Sequence, residues 1–293
     1  MPVAVEGRTE RPRPRQWWRS VEPIHAVTYF APESRDACRA VGLRGFWMGY
    51  FAARAAPLGV VEPATVTATF FNFHPAMVAR AIPDAWGFAP PPDVVRARRS
   101  GAAAALRRID ETLEPKARHL VPLLERVVGA ADGSGRALFS ANRALGSPDD
   151  PVEALWQACT CLREHRGDGH VAALTTSRLD GCEALVLFAL SEDLPGAMFR
   201  HGRGWSEEEW ESARCRLEER GLVDRGRISD EGLELRRSIE RSTDEQAAPP
   251  YLVVGDRESV ELYEGLRSLA GAVAARGEIP FPNPMGLPAP DLP

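Results

Sequence analysis

Similar landmarks recur along this chain at a nearly constant separation. The run Gly-Tyr-Phe-Ala-Ala at 49–53 is similar to Gly-His-Val-Ala-Ala at 169–173, and two later landmarks recur in the same way. The three pairs are Gly49 and Gly169, Ala76-Met77 and Ala197-Met198, and Trp86 and Trp205. A repeat of fixed period indicates a duplicated unit. We therefore expect two related halves, in which residues 44–110 and 166–235 superpose as the same helical arrangement.

The second half has the clearest local pattern. Ser206 followed by Glu209 is a capping box that predicts a helix start, and Gly221 predicts the end of that helix. Two short strands are expected at 222–224 and 226–228, and Ser229 begins the next helix. A helix, a hairpin and a second helix in this order are the layout of a winged helix.

The junction between the halves is predicted from turn-forming residues. Residues 129–135 and 146–151 favour turns, and a short helix is expected between them at 136–145. Asp149 or Asp150 then caps a helix that has Pro151 at its first position. The expected organisation is a disordered tail, an N-terminal winged-helix-like half, a C-terminal winged-helix half and a Pro-rich tail, at residues 1–14, 15–140, 141–280 and 281–293.

Two resemblances to known families follow from longer motifs. The run Leu-Glu-Glu-Arg-Gly-Leu-Val at 217–223, followed by Ile-Ser-Asp-Glu-Gly at 228–232, resembles the recognition-helix end and wing of the MarR family over residues 150–275. The whole chain resembles an actinobacterial group of duplicated winged-helix proteins, the SalK-like family, at residues 22–33, 71–75 and 162–170. The resemblance implies a mainly α fold of two tandem winged-helix-like halves that form an intrachain pseudo-dimer with small β-wings. It also implies a place in specialised metabolism, and it leaves the reaction and the cofactor open.

Composition bounds the class of protein. Of 293 residues, 44% are hydrophobic and 26% charged, as in globular proteins, and no apolar run approaches the roughly 18–20 residues that span a bilayer. The five cysteines include no C-x-x-C pair, which fits a reduced cytosol. We expect a cytoplasmic protein without a membrane partner, as a monomer or homodimer.

The charge pattern disfavours nucleic acid as a partner. The net charge of −5 lacks the basic excess of non-specific nucleic-acid binders. The predicted reading helix at 206–220 begins with four carboxylates, Glu207, Glu208, Glu209 and Glu211. They would face phosphates if this helix entered the major groove. A basic helix at 92–108 could contact phosphates, although such a charge run is more often a solvated face.

Residues 163–170 are the main candidate for chemistry, with six ionisable side chains and two glycines. A turn at Gly167 with Asp168 as cap of a new helix would explain part of the pattern. Three functional roles stay open. His165, Asp168 and His170 could act as catalytic acid and base groups, or as a metal site, and Arg163 and Arg166 could clamp a ligand carboxylate or phosphate. We assign no metal and no cofactor.

The first half supplies further candidate ligand-binding residues: Glu22, His25, Tyr29, Asn72 and His74. The aromatic residues around Asn72 and His74 fit either a small-molecule pocket or a core. We expect at least one of His165 and His170 to point into a cavity shared with first-half aromatics. The leading hypothesis is binding, and in its stronger form transformation, of a small organic molecule between two degenerate halves. The alternatives are a MarR-like ligand-responsive regulator and a non-catalytic interaction module.

Overall fold

A computed structural model describes residues 10–288, which form fifteen α-helices, two short 3-10 turns and one small hairpin. The first-half helices are α1 (Pro14–Phe30), α2 (Pro32–Ala40), α3 (Gly45–Ala55), α4 (Pro63–Phe70), α5 (Pro75–Ala79), α6 (Ala85–Phe88), α7 (Pro91–Ile109) and α8 (Leu113–Ala130). Then follow α9 (Ala137–Ala144), α10 (Pro151–Thr176), α11 (Gly181–Ser191), α12 (Gly196–Arg203), α13 (Glu207–Glu219), β1 (Val223–Asp224), β2 (Arg227–Ile228), α14 (Asp230–Ala247) and α15 (Asp256–Ala275). The 3-10 turns are Ala56–Leu58 and Pro249–Val253.

The predicted helix starts are confirmed at atomic detail. The Asp150 carboxylate accepts hydrogen bonds from the amides of Val152 and Glu153 at the start of α10. At the start of α13, the Ser206 hydroxyl accepts from the Glu209 amide, and the Glu209 carboxylate accepts from the Ser206 amide. The short helix expected at 136–145 is present as α9. These helix starts form as predicted because an N-terminal cap is a local arrangement of a few residues.

A wing is present in the second half only. Strands β1 and β2 pair antiparallel with Val223 opposite Ile228, after Gly221 with a φ of 70°. The first half has no strand within its described residues, which corrects the expectation of a wing in each half. The physical reason is the sequence that joins α6 to α7. Only Ala89 separates α6 from Pro90, Pro91 and Pro92, and Pro91 starts α7 directly.

The largest core joins the two ends of the chain to its middle. Helix α1 packs against α15, α10 packs against α8, and α1 and α10 also contact each other. Trp156 of α10 is fully buried there, and its indole donates to the His25 carbonyl of α1 at 3.2 Å. Each of the contacts α1–α15 and α8–α10 therefore joins a helix within residues 14–130 to a helix within residues 151–275.

Helix α10 is continuous through the segment where the sequence predicted a turn. Asp168 does not cap a new helix; its carboxylate instead accepts from the Phe139 amide in the first turn of α9, at 2.9 Å. A Cβ on Gly169 would lie 2.6 Å from Arg136 Nη1, so this glycine allows the close approach of Arg136. A Cβ on Gly167 would meet only ordinary contacts, at 3.6 Å. The prediction of a turn was wrong because tertiary packing holds these glycines helical against their low intrinsic preference.

The segments next to both termini are held against the body. Arg11 donates to Asp256 and to the carbonyls of Tyr251 and Val254, so residues 10–14 do not belong to the expected disordered tail. Residues 1–9 lie outside the described part. At the other end, Asn283 is buried, and the Arg203 side chain of α12 donates to the Pro284 carbonyl at 2.7 Å. Residues 281–288 of the Pro-rich segment therefore fold back, and 289–293 lie outside the described part.

The apolar stretch at 182–190 lies within the buried helix α11. Its length of 11 residues is about half of what a bilayer-spanning helix needs. Within residues 10–288, no helix is both long enough and apolar enough to cross a membrane.

Candidate ligand-binding site

A cavity of about 480 Å³ lies between the two halves. Its walls come from α1, α3, α4 and the following loop in the first half, and from α10, α11, α12 and α14 in the second. The folded-back segment contributes Met285, Gly286 and Pro288. The volume is in the range of small-molecule sites.

Aromatic rings form much of the wall. The rings that line the cavity are Trp18, Tyr29, Tyr50, Phe70, Phe71, Phe73, Phe188 and Phe199. Tyr50 lies 5.4 Å from Phe73 between ring centroids, and Phe71 has a left-handed φ of 59°. A bulky residue at such a φ is a strained position that surrounding structure must hold.

A buried carboxylate, Glu164 of α10, ties the halves together beside this cavity. Arg54 of α3 donates to both its oxygens, at 3.0 and 3.1 Å, and Arg163 Nη1 donates at 2.8 Å. Arg163 Nε also donates to Glu22 at 3.2 Å. Burial alone would raise the pKa of Glu164, but the charges of Arg163 and Arg54 outweigh it and hold the pKa well below its usual range.

A second carboxylate, Glu240 of α14, lines the cavity itself. It forms ion pairs with Arg15, Arg166 and Arg236, from α1, α10 and α14. Burial alone would raise the pKa of Glu240. The three arginines, together with His170 in its protonated form, lower that pKa to about 2. The lining arginines named so far are therefore matched by carboxylates.

Of the three catalytic candidates, only His170 lines the cavity. The Thr243 hydroxyl donates to the Ile239 carbonyl at 2.7 Å, so it accepts from His170 Nδ1 at 3.0 Å. This arrangement fixes the proton on Nδ1 and leaves Nε2 as an acceptor. Burial lowers the pKa of His170 to about 4.

His165 and Asp168 point elsewhere. The His165 ring packs edge-on against Phe139 of α9 at 5.0 Å, and burial lowers its pKa to about 4. Burial raises the pKa of Asp168 to about 6, although the Phe139 amide opposes the shift. His165, Asp168 and His170 are thus not brought together. No group of three or more metal-ligating side chains occurs within residues 10–288.

The first-half candidates divide in the same way. Glu22, Tyr29 and Asn72 line the cavity, whereas His25 lies behind Tyr29 and bonds its hydroxyl at 2.9 Å. His74 caps α5 and its Nε2 donates to Glu209 of α13 at 2.9 Å, away from the cavity. Arg163 and Arg166 line the cavity but are engaged with carboxylates.

Sequence reasoning missed several lining residues: Tyr50, Arg54, Phe188, Arg203, Arg236 and Glu240. One of them had a signal. Arg54 is the only charged residue between Gly45 and Leu58, and a lone charge in an apolar helix is typically paired when buried. No such pattern predicts that Arg203 lines the cavity, because its surroundings are set by the loop at 71–74 and by the folded-back segment.

The helix that precedes the wing has an acidic outer face. Glu207, Glu208 and Glu211 of α13 are exposed. Both arginines within this helix pair with carboxylates: Arg214 with Glu211 and Glu218, and Arg216 with Asp180 and Glu183. The basic residues of α7 are likewise paired or buried, Arg107 with Asp150, Arg108 with Glu33, and Arg98 in the core.

Comparison with known proteins gives one match. A family model described as a helix-turn-helix family matches residues 14–280. No curated protein and no solved structure matches the chain. The matched range includes the hairpin, the paired terminal helices and nearly all residues that line the cavity.

Proposed function

Since the chain belongs to a helix-turn-helix family, we propose that it is a ligand-binding member built from two degenerate winged-helix halves, at residues 15–140 and 141–280. It binds a small organic molecule in the cavity between them. The observation that carries this proposal is the cavity itself, whose wall draws aromatic and charged side chains from both halves.

The pseudo-dimer part of the proposal is supported by reciprocal packing. Helix α1 lies on α15 as α10 lies on α8, which is the exchange expected of two related units. Of the recurring landmarks, Ala76-Met77 in α5 and Ala197-Met198 in α12 both lie in short helices. The other two pairs do not support the proposal, because Gly49 lies in α3 and Gly169 in α10, and Trp86 lies in α6 whereas Trp205 lies between α12 and α13. A MarR-like origin and a role in specialised metabolism rest on the sequence resemblance alone.

A catalytic extension of this function would use His170. It is the one member of the proposed catalytic set that lines the cavity, and its Nε2 is an acceptor. An unprotonated imidazole beside a bound ligand is able to accept a proton from it, although the lowered pKa of about 4 makes His170 a weak base at neutral pH. His165 and Asp168 are better explained as packing and capping groups of the α9 contact.

Blocking the cavity at Gly167 tests the binding function. Gly167 lines the cavity in the interior of α10, where a Cβ meets no close contact. Gly167→Phe is expected to fill part of the space and weaken small-molecule binding at least tenfold, or about 1.4 kcal/mol. Native mass spectrometry of the purified protein and a thermal-shift screen of mixed neutral and charged organic compounds measure the effect.

Gly167→Ala is the matched control. It should keep the ligands and raise the stability of the helix by about 1 kcal/mol, because alanine favours a helix interior over glycine. Equal retention of every ligand by the Phe and Ala variants would show that binding, if any, occurs elsewhere.

A DNA-binding regulator is the second candidate, and the family match favours it. The cavity is connected to α13, since Trp205 donates to the Asn72 carbonyl and His74 to Glu209. The acidic face of α13 argues against a DNA-binding regulator, because attraction between basic side chains and phosphates drives the binding of DNA.

We expect negligible affinity for duplex DNA at physiological salt in a mobility-shift titration. A triple variant, Glu207→Lys with Glu208→Lys and Glu211→Lys, serves as the positive control for the geometry of α13. It should bind duplex measurably and lose that binding as salt rises. Micromolar binding by the unmodified protein, abolished by changes in α13, would establish the regulator instead.

A further inference from the structure

We propose that the ligand of this cavity is an organic anion, and that Arg203 is the residue that binds its carboxylate or phosphate group. The inference rests on the proposed function and names the chemical class of its ligand. It follows from the contacts of Arg203, which differ from those of the other arginines that line the cavity.

Arg203 ends α12 and lines the cavity. Its guanidinium lies over the Phe73 ring at 4.5 Å, and Nη2 donates to the Pro284 carbonyl at 2.7 Å. Nη1 donates to the Gly202 carbonyl at 3.1 Å. The Nε atom is buried and has no hydrogen-bond partner among the described residues. A guanidinium has five N–H donors in a planar fork, so donors remain for a ligand.

Arg203 also lacks a counter-ion. Five other arginines that line the cavity each form an ion pair with a carboxylate: Arg15, Arg54, Arg163, Arg166 and Arg236. No ion pair involves Arg203 within residues 10–288. Burial, with help from the charges of Arg54 and Arg163, lowers its pKa. Arg203 is partly buried, and an unpaired cation removed from bulk water is costly to a fold. Proteins retain such costs at functional sites.

The balance of charge around the cavity agrees with an anionic occupant. Apart from Arg19, six arginines and three glutamates line it. Two further carboxylates, Glu164 and Asp244, pair with lining arginines from behind the wall, and cations still exceed carboxylates. Arg166 and Arg236 each also have a buried Nε without a partner in the described part of the chain. A bound anion would meet a positive surface in a site of low dielectric.

The rest of the wall points to an organic rather than an inorganic anion. Tyr50, Phe70 and Phe73 stand next to one another beside Arg203, with ring centroids 5.4–6.5 Å apart. Such a surface gains free energy by covering an apolar or planar body. Asn72 Oδ1, which is buried and without a partner among the described residues, is suited to accept from a hydroxyl or amine of the same ligand.

The test compares anions with neutral analogues on the full chain. Benzoate, 1-naphthoate and phenyl phosphate are the anionic probes, benzamide and benzyl alcohol the neutral ones, and inorganic phosphate the control without an organic body. Thermal shift and calorimetric titration measure binding. At least one organic anion is expected to bind at least tenfold more tightly than the neutral analogues and than inorganic phosphate.

The variant Arg203→Gln tests whether Arg203 binds the ligand or only stabilises the fold. It should weaken the binding of the organic anion at least tenfold and leave the melting temperature of the ligand-free protein unchanged or higher, because an unpaired buried charge is removed. The control Arg237→Gln, at an exposed position on α14, should change neither.

Several outcomes would overturn the inference. If Arg203 only anchors the folded-back segment through Pro284, the variant will melt at lower temperature and keep its anion affinity. Tight binding of neutral compounds alone, blocked by Gly167→Phe, would refute the anionic ligand and leave the proposed function standing. If no compound of any charge binds in the cavity, both proposals are wrong.

Discussion

Glu164→Gln is expected to lower the free energy of unfolding by about 3–5 kcal/mol, the usual cost of breaking a buried ion pair from one side. Glu164 is 1% exposed and accepts three hydrogen bonds from Arg54 and Arg163. Removing its charge leaves both guanidinium groups buried with less compensation. Because Arg54 belongs to α3 and Glu164 to α10, the loss should loosen the contact between the two halves.

Urea unfolding followed by circular dichroism measures this effect. Glu211→Gln is the matched control, since the pair of Glu211 with Arg214 is exposed and water screens such pairs. If Glu164→Gln costs no more than this control, the buried network does not hold the halves together.

Mild acid is expected to destabilise the protein more than an ordinary globular domain. Burial lowers the pKa of His170 and of His165 to about 4, and that of His25 well below its usual value. Between roughly pH 6.5 and pH 4 the unfolded chain therefore binds protons that the folded chain does not, and stability rises with pH. The raised pKa of Asp168, about 6, acts in the opposite direction and offsets about 1 kcal/mol of the loss.

From pH 7.5 to pH 5, a histidine whose pKa is lowered to about 4 should contribute a loss of at most about 2 kcal/mol. Urea unfolding across this range measures the slope. His170→Gln should flatten the profile by about that amount, whereas His119→Gln, at an exposed position, should leave it unchanged. A profile that His170→Gln does not alter would show that this imidazole is charged or solvated in the folded protein.

Local signals in the sequence predicted the local structure. Asp150, Ser206 and Ser229 cap the helices that they were expected to cap, and the strands of the wing pair at Val223 and Ile228. Each of these features depends on residues a few positions apart. Their energetics are therefore contained in the segment itself.

The features that were not predicted from the sequence depend on packing between residues that are far apart in the chain. Two glycines around Asp168 looked like a turn, but α9 and α14 press on α10 there and keep it helical. The pocket residues show the same limit. The histidines were singled out for their titration, yet most of the charged residues that line the cavity are arginines, and their partners, such as Glu240 and Pro284, lie far along the chain.

The packing of α1 against α15 has a consequence for biosynthesis. When Phe30 has left the ribosome, the helix that will cover Trp17 and Val21 is still more than 200 residues from completion. At about 5–20 residues per second, this delay is roughly 10–50 s. Helices α8 and α10, which are close in sequence, are able to pair long before that. The face of α1 that contacts α15 is thus uncovered during most of the synthesis, although α2, α7 and α10 are able to cover its other faces earlier. The last step in the packing of α1 is its capture by α15.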